Sequence, residues 1–479
     1  MESRTYLRLL FQVATSLAIG VLLRFVVGLH PIWWLAWLAP IPLLVVAFRA
    51  NGWEAGVMVF VAALIGISVN FHYRLAVFGP PVAGMLTVLQ ALIWTLVVLQ
   101  ARRLVRRYQA GWTALAYPVL WVAVDTLTAV CLRSGNETSL AYTQADCLPV
   151  LQATSLLGIG GLLFLLTLIP STLALALAFG RTLRRAWPAY AGTFLLLAAA
   201  IAYGRMRLQH PVQGQETTLG LVAIDDAIGA KASASYIKSI WDGYDRHISS
   251  LSAQGAEIIV LPEKIGLVTP ATAAQWQQHL SELAARNHVW LVAGVGIDSG
   301  TERVNRAWLF TDEGILAGTY DKQHMAPVEH GYVRGDRFLV QDILGHPYGV
   351  AICKDMFSAA LGRAEGNRGA AVMLVPAWNP SLEDAWMEGR NTLTRGVENG
   401  YAVVRVAREG FMTVSDAYGR ILVEKESAAL PGSAVLARLK VAGQLPTLYT
   451  RIGDVFGWIC VAAGTVLVSI GRRRPRQSL

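Results

Sequence analysis

Seven apolar segments stand in line before the first lysine of the chain, and that arrangement limits the possible folds more than any other feature. They cover 9–29, 32–48, 56–74, 82–101, 114–132, 156–179 and 187–204, and an eighth follows at 452–471. A helix needs roughly 20 apolar residues to cross about 30 Å of hydrocarbon; most of the segments approach this, and the second is short. Lipid offers no partner to a backbone N–H or C=O, so apolar spans of this kind must be helical. Residues 1–208 therefore read as a transmembrane bundle of about seven helices, and 448–479 as a C-terminal transmembrane helix with a basic tail. The first segment lacks a small-residue cleavage site and is followed by further spans, so it reads as a span and not as a signal peptide.

Charge divides the chain at the same place. Residues 1–208 contain no lysine and only five acids, Glu2, Glu54, Asp125, Glu137 and Asp146, whereas 26 of the 32 acids lie between 209 and 447. A composition of 54% hydrophobic and 15% charged residues is too apolar for a wholly soluble chain. Residues 209–447 read as a water-soluble domain held at both ends by the membrane. Much of the net charge of +9 lies in arginine clusters beside the spans, which points to lipid headgroups and away from nucleic acid. Counting loops alternately, Arg4, Arg8, Arg49, Arg102, Arg103, Arg106, Arg107, Arg181, Arg184, Arg185, Arg472, Arg473, Arg474 and Arg476 fall on one side. Only Arg74, Arg133, Arg205 and Arg207 fall on the other, with Arg24 near a span end. The positive-inside rule makes the first side cytoplasmic. The soluble domain is then expected outside the cytoplasmic membrane.

Within 209–447, strands are expected at 218–224, 257–262, 289–295, 304–311, 315–320, 348–353, 371–375, 401–407, 411–416 and 433–439. Helices are expected at 232–253, 271–286, 357–366 and 383–399, with Asn287 as the stop of the second. This alternation argues for a layered α/β domain.

Three apolar strands in that domain end in chemically active side chains. Ile258-Ile259-Val260-Leu261-Pro262 leads to Glu263, Ile315 to Thr319 leads through Tyr320-Asp321 to Lys322, and Gly349-Val350-Ala351-Ile352 leads to Cys353. A thiol attacks a carbonyl as its thiolate, so it needs a base or a cation beside it. Glu263 can take the proton, and Lys322 can stabilise both the thiolate and a developing oxyanion. The remaining cysteines suggest no disulfide scaffold. Cys131 and Cys147 share one inter-span region, where an oxidising compartment would let them pair; Cys460 lies in an apolar span. His324 and His330 have no metal-ligand spacing, and no phosphate-binding glycine loop is present, so neither metal nor cofactor is expected. Trp378, Trp386, Phe411 and Met412 suit an acyl pocket or ordinary core packing equally well.

In this order, Leu261-Pro262-Glu263, Tyr320-Asp321-Lys322-Gln323-His324 and Gly349-Val350-Ala351-Ile352-Cys353 resemble the Glu-Lys-Cys signature of the nitrilase (carbon–nitrogen hydrolase) superfamily. Seven spans before the domain and one after it resemble a single branch, the apolipoprotein N-acyltransferases. His30-Pro31-Ile32-Trp33-Trp34, Leu448-Tyr449-Thr450-Arg451-Ile452-Gly453-Asp454 and Ala417-Tyr418-Gly419-Arg420-Ile421 are further echoes. The resemblance implies a membrane helical bundle joined to a nitrilase-like α-β-β-α sandwich. It also implies transfer of a fatty acyl chain from a phospholipid, through a cysteine thioester, to the α-amino group of a diacylated apolipoprotein. The setting implied is the periplasmic face of a bacterial inner membrane. By position it makes Cys353 the nucleophile, Glu263 the general base and Lys322 the oxyanion stabiliser, with Glu329, Asp355 and Trp378 in supporting or substrate-binding roles.

The match has departures. Lys354 and Asp355 stand where the family has an aromatic residue and a glutamate, and Glu329 lies one residue closer to the lysine than usual. Val222-Ala223-Ile224-Asp225-Asp226 replaces a Gln-Gly-Asn type turn, and Pro376-Ala377-Trp378-Asn379-Pro380 replaces an Asn-Asp-Ala-Trp type run. These changes leave two rivals: a membrane-tethered amidase or acyltransferase with another amine acceptor, and an inactive binding module on a membrane anchor.

Overall fold

The computed structural model describes residues 2–132, 135–180, 186–229 and 232–472, with side chains from Leu10 onward. Lys231, Arg133, Arg181, Arg184, Arg185, Arg473, Arg474 and Arg476 lie outside the described residues, as do the side chains of Arg4 and Arg8. The chain forms two compact units, one of Met1–Cys131, Thr138–Arg207 and Asp454–Leu479, the other of Leu132–Glu137 and Leu208–Gly453.

The first unit is helical: α1 (Glu2–Val27), α2 (Pro40–Arg49), α3 (Gly52–Ile67), α4 (Phe71–Phe78), α5 (Pro80–Tyr108), α6 (Ala116–Cys131), α7 (Leu148–Leu151), α8 (Thr154–Phe179), α9 (Trp187–Gln209) and a last helix, Val455–Arg472. Among the described residues seven stretches are long and apolar enough to cross a membrane, α3 and α4 forming one of them. The second expected span is instead a shorter apolar segment, Trp33–Arg49, in which a 3-10 turn precedes α2. In lipid, helices associate by close packing. A Cβ on Gly66 of α3 would lie 2.7 Å from the Leu23 Cβ of α1, so glycine is what lets these two backbones meet. Arginines grouped on one side by the loop count satisfy helix-end carbonyls: Arg102 donates to Ala50 O at 2.6 Å, and Arg107 donates to Ile470 O at 3.2 Å. All four cysteines are free, so Cys131 and Cys147 are not joined.

The second unit is built on two sheets. The first carries β1 (Gln215–Ala223), β2 (Ile258–Val260), β3 (Leu267–Val268), β4 (Trp290–Asp298), β5 (Arg303–Phe310), β6 (Leu316–Asp321) and β7 (Tyr332–Val333), with β14 (Ser433–Val441) antiparallel to β1. The second runs β13 (Ile421–Glu426), β12 (Phe411–Ser415), β11 (Ala402–Arg408), β10 (Val372–Trp378), β9 (His346–Val350) and β8 (Leu339–Ile343). Strand alternation separates two apolar layers. Leu219, Leu221, Ile258, Val260, Val292, Ala307 and Leu309 point between the sheets and meet Val350, Val372, Leu374 and Val404. Their neighbours Val222, Ile259, Leu291, Ala293, Trp308 and Phe310 point the other way, onto the helices α10 (Ala234–Ala253) and α11 (Pro270–Asn287). On α10, Ile240, Tyr244, Ile248 and Leu251 recur at helical spacing and are buried. α12 (Ala359–Asn367) and α13 (Ala385–Asn399) lie against the second sheet, completing a helix–sheet–sheet–helix sandwich. α11 runs through Asn287, and His288, in the left-handed conformation at φ 51°, is its actual stop.

Candidate active site

Cys353 owes its position to the backbone. β9 is paired to β10 in the middle of the second sheet, and the chain leaves it through Ile352 at φ −117° before Cys353 turns to φ 46°. A non-glycine residue in the left-handed region costs about 1–2 kcal/mol, and such outliers persist where surrounding structure over-determines them. The turn lifts the side chain off the strand line into a 3-10 segment, Cys353–Phe357, and Ser358 then caps α12 by accepting from Leu361 N. The thiol, 3% exposed, donates to Trp378 O at 3.4 Å.

Asp355 ties this turn to the lysine loop. Its Oδ1 accepts from Gln323 N at 3.0 Å and His324 N at 2.7 Å, and its Oδ2 accepts from Ile352 N at 3.1 Å and Tyr320 Oη at 2.9 Å. The shorter aspartate therefore still bridges the two segments.

Lys322 follows β6 directly and is buried between two carboxylates. Its Nζ lies 2.8 Å from Glu263 Oε1 and 2.8 Å from Glu329 Oε2. Asn305 of β5 donates from Nδ2 to Glu263 Oε1 at 2.5 Å and to Glu329 Oε1 at 2.7 Å. Glu329 also accepts from Lys264 Nζ at 2.6 Å and Ala326 N at 2.7 Å, so its closer spacing in sequence does not keep it from the cluster. Among the described residues, buried Glu263 Oε2 accepts no hydrogen bond. The Glu263 backbone donates to Ala377 O at 3.1 Å, joining the two sheets at this point. Gly294 permits the approach, since a Cβ there would sit 2.7 Å from Glu263 Cα.

Opposed charges set the protonation states. Burial alone would pull the Lys322 ammonium down, but Glu263 and Glu329 hold it above the ordinary lysine range. Burial pushes Glu329 up, yet Lys322 and Lys264 bring it down to about 2. Burial raises the Cys353 thiol, and Glu263 and Glu388 raise it further, against the pull of Lys322 and Arg405. At rest the sulfur therefore holds its proton, and attack requires a base to remove it.

Three participants escaped the sequence reading: Asn305, Glu388 and Arg405. Arg405 is a buried arginine in the strand Ala402–Arg408, and its Nη2 lies 2.9 Å from Glu388 Oε2. A cation inside an otherwise apolar strand run was the available signal. Lys354 directs its ammonium to Glu388 Oε1 at 2.9 Å and Glu137 Oε2 at 3.0 Å. Trp378 offers its carbonyl to the thiol, while its ring lies under Arg408 at 4.3 Å and Lys264 at 4.9 Å. Met412 belongs to the core between the sheets. Among the described residues no group of three or more His, Cys, Asp or Glu side chains is placed to hold a metal ion.

Glu365 on α12 lies behind this turn, fully buried, with neither carboxylate oxygen hydrogen-bonded among the described residues. Burial pushes it up to about 8, with Arg368 opposing and Asp355 reinforcing the shift. Its folded value exceeds its unfolded one, so the stability linked to its proton is full below about pH 4.3 and is lost as pH rises toward 8. Glu365→Gln is expected to flatten thermal stability between pH 5 and 8 and to stabilise the protein by on the order of 2 kcal/mol at the upper end. Melting curves at three pH values in detergent test this, and an unchanged slope would refute it.

Residues 19–172 match the family of apolipoprotein N-acyltransferase N-terminal domains, and residues 227–436 match the carbon-nitrogen hydrolase family. The chain is 27% identical to the apolipoprotein N-acyltransferase of Geobacter metallireducens, over 93% of this chain and 92% of that protein. It is 25% identical to the apolipoprotein N-acyltransferase of Bradyrhizobium diazoefficiens, over 76% of this chain and 75% of that one. Among solved structures it is similar to an amidase from Nesterenkonia sp., at 21% identity and a TM-score of 0.41, over 48% of this chain and 92% of that one.

Proposed function

We propose how this chain, which belongs to the apolipoprotein N-acyltransferase family and is a multi-pass membrane acyltransferase, carries out its reaction. Glu263 takes the proton of the Cys353 thiol through its open Oε2, and the thiolate attacks the ester carbonyl of a phospholipid. The oxyanion of the tetrahedral intermediate is held by the Lys322 ammonium. The C–O bond breaks, the leaving alkoxide takes the proton back from Glu263, and a lysophospholipid departs from the thioester on Cys353. In the second half, the α-amino group of a diacylated apolipoprotein attacks the thioester and Glu263 removes its proton. The C–S bond then breaks to leave an amide and a free thiol. Residues 209–447 act as the catalytic domain on the periplasmic side of the inner membrane. Residues 1–208 and 448–479 tether it to the membrane that supplies the lipid ester.

The observation that carries this reading is one buried ammonium 2.8 Å from each of two carboxylates. One of those carboxylates has an oxygen open for a proton, and a strand-end thiol lies within the electrostatic reach of both the ammonium and that carboxylate.

The test supplies purified protein with phosphatidylethanolamine, alone and with a diacylated lipopeptide bearing a free α-amine. Phospholipid alone should add one acyl mass to the protein at Cys353, and the lipopeptide should discharge it as a triacylated product. Free fatty acid without triacylated peptide would replace this reading by a hydrolase, and no adduct at all would replace it by an inactive binding module.

A further inference from the structure

A second carboxylate, Glu388, faces the thiol, and no step of the transfer uses it. Its Oε2 lies 3.9 Å from Cys353 Sγ and accepts from Asn379 Nδ2 at 2.9 Å and Arg405 Nη2 at 2.9 Å. Its Oε1 lies 2.9 Å from Lys354 Nζ. Every member of this group is buried: Glu388 and Asn379 are 0% exposed, Arg405 1% and Lys354 7%.

The charged groups facing the sulfur come from four directions. Glu263 and Lys322 come from the loops after β2 and β6, Arg405 from β11 and Glu388 from α13. Within the cysteine's own turn, Asp355 is directed away, to Tyr320 and the amides of 323 and 324. Glu388 in turn meets Lys354 from the turn, Arg405 from β11 and Asn379 from the end of β10, where Asn379 also donates to Asp384 at 3.0 Å. Glu137 shares the Lys354 ammonium at 3.0 Å, and its carbonyl accepts from Asn391 Nδ2 on α13 at 3.2 Å.

An uncompensated carboxylate in a buried site disfavours a thiolate forming next to it. Two cations on Glu388, one on each oxygen, offset much of that effect. We propose that Lys354 is a positioning residue which, by holding and neutralising Glu388, sets how readily Cys353 gives up its proton. The inference rests on Cys353 as the nucleophile, but its readout is the thiol itself.

The experiment measures the rate of iodoacetamide alkylation of Cys353 between pH 6.5 and 10 in the full-length protein, located by peptide mass so that Cys131, Cys147 and Cys460 are scored separately. Lys354→Met is expected to slow alkylation about tenfold at a given pH, the equivalent of one unit on the pH axis, whereas Lys354→Arg keeps the wild-type profile. Glu388→Gln, close in shape, is expected to speed alkylation, and Lys354→Met with Glu388→Gln is expected to return it near the wild-type rate. A profile unmoved by Lys354→Met, or a double variant as slow as the single one, overturns the proposal. A purely structural role would lower the melting temperature without moving the profile. If Lys354→Met does not accumulate, Glu388→Gln alone decides: faster alkylation supports the proposal, and unchanged or slower alkylation overturns it. Acyl transfer surviving in Cys353→Ala would instead defeat the nucleophile assignment while leaving the alkylation profile of the native thiol intact.

Discussion

Cys353→Ala is expected to give a folded membrane protein with no detectable acyl-enzyme and acyl transfer reduced at least about 10⁴-fold, the scale seen when a nucleophile is removed from a coupled catalytic set. The fold should survive because the side chain is small and its donor contacts, to Trp378 O at 3.4 Å and Glu388 Oε2 at 3.9 Å, are weak thiol contacts. Removing the sulfur should cost about 1 kcal/mol, near the low end of core truncations. Alanine can occupy the turn at φ 46° at no more cost than cysteine. Cys353→Ser should be equally inactive. Burial and two carboxylates already hold the thiol in its protonated form, and a hydroxyl, intrinsically a far weaker acid, is harder still to ionise there. Intact-mass measurement after exposure to phospholipid, alongside a melting curve, separates lost chemistry from lost structure. A full rate of triacylated product from either variant would end the assignment of Cys353.

The proposed reacting groups of this site were more legible in the sequence than the groups that hold them. Glu263, Lys322 and Cys353 each end an apolar strand run, so period, burial and position were legible together. Strand alternation puts Leu219 and Leu221 on one face of β1 and Val222 on the other. Asn305 and Glu388 gave no such signal. Each is a polar residue in an ordinary strand or helix, and its role comes from partners 24 to 42 or 9 to 35 positions away. Pairings of that separation are set by sheet register, which no local pattern reveals. The same limit hid β13, where Ile421–Glu426 is an exposed edge with three charges and offers no apolar face to detect. Asp355 shows the converse: an apparent shortening in sequence proved sufficient because the lysine loop passes close enough to give it two backbone N–H groups.

Lys322→Met is expected to be the most damaging substitution in the site, to stability as well as to rate. The ammonium lies 2.8 Å from each of Glu263 and Glu329, and all three side chains are 2% exposed or less. Taking one partner out of a buried ion cluster costs about 3–5 kcal/mol, because the remaining charges are left uncompensated. Glu329 would keep Lys264 at 2.6 Å, but Glu263 would be left with Asn305 and with Lys264 at 3.7 Å. Loss of the proposed oxyanion partner should slow any residual transfer by a further 10²–10³-fold or so. Glu263→Gln makes the informative contrast. It removes the proposed base yet leaves Lys322 paired to Glu329 at 2.8 Å, so the melting temperature should fall far less while transfer drops about 10²–10⁴-fold. The acid limb follows from the same geometry. Glu329, brought down to about 2, contributes stability that is present above about pH 4.3 and is lost as pH falls toward 2. Lys322→Met should blunt that loss, since the depressed carboxylate is what the lysine sustains. Melting curves of the wild type and both variants from pH 7 to 3, read beside single-turnover acylation, test the whole arrangement. A Lys322→Met protein as stable and as fast as Glu263→Gln would show that the ammonium neither holds the carboxylates together nor meets the reacting carbonyl.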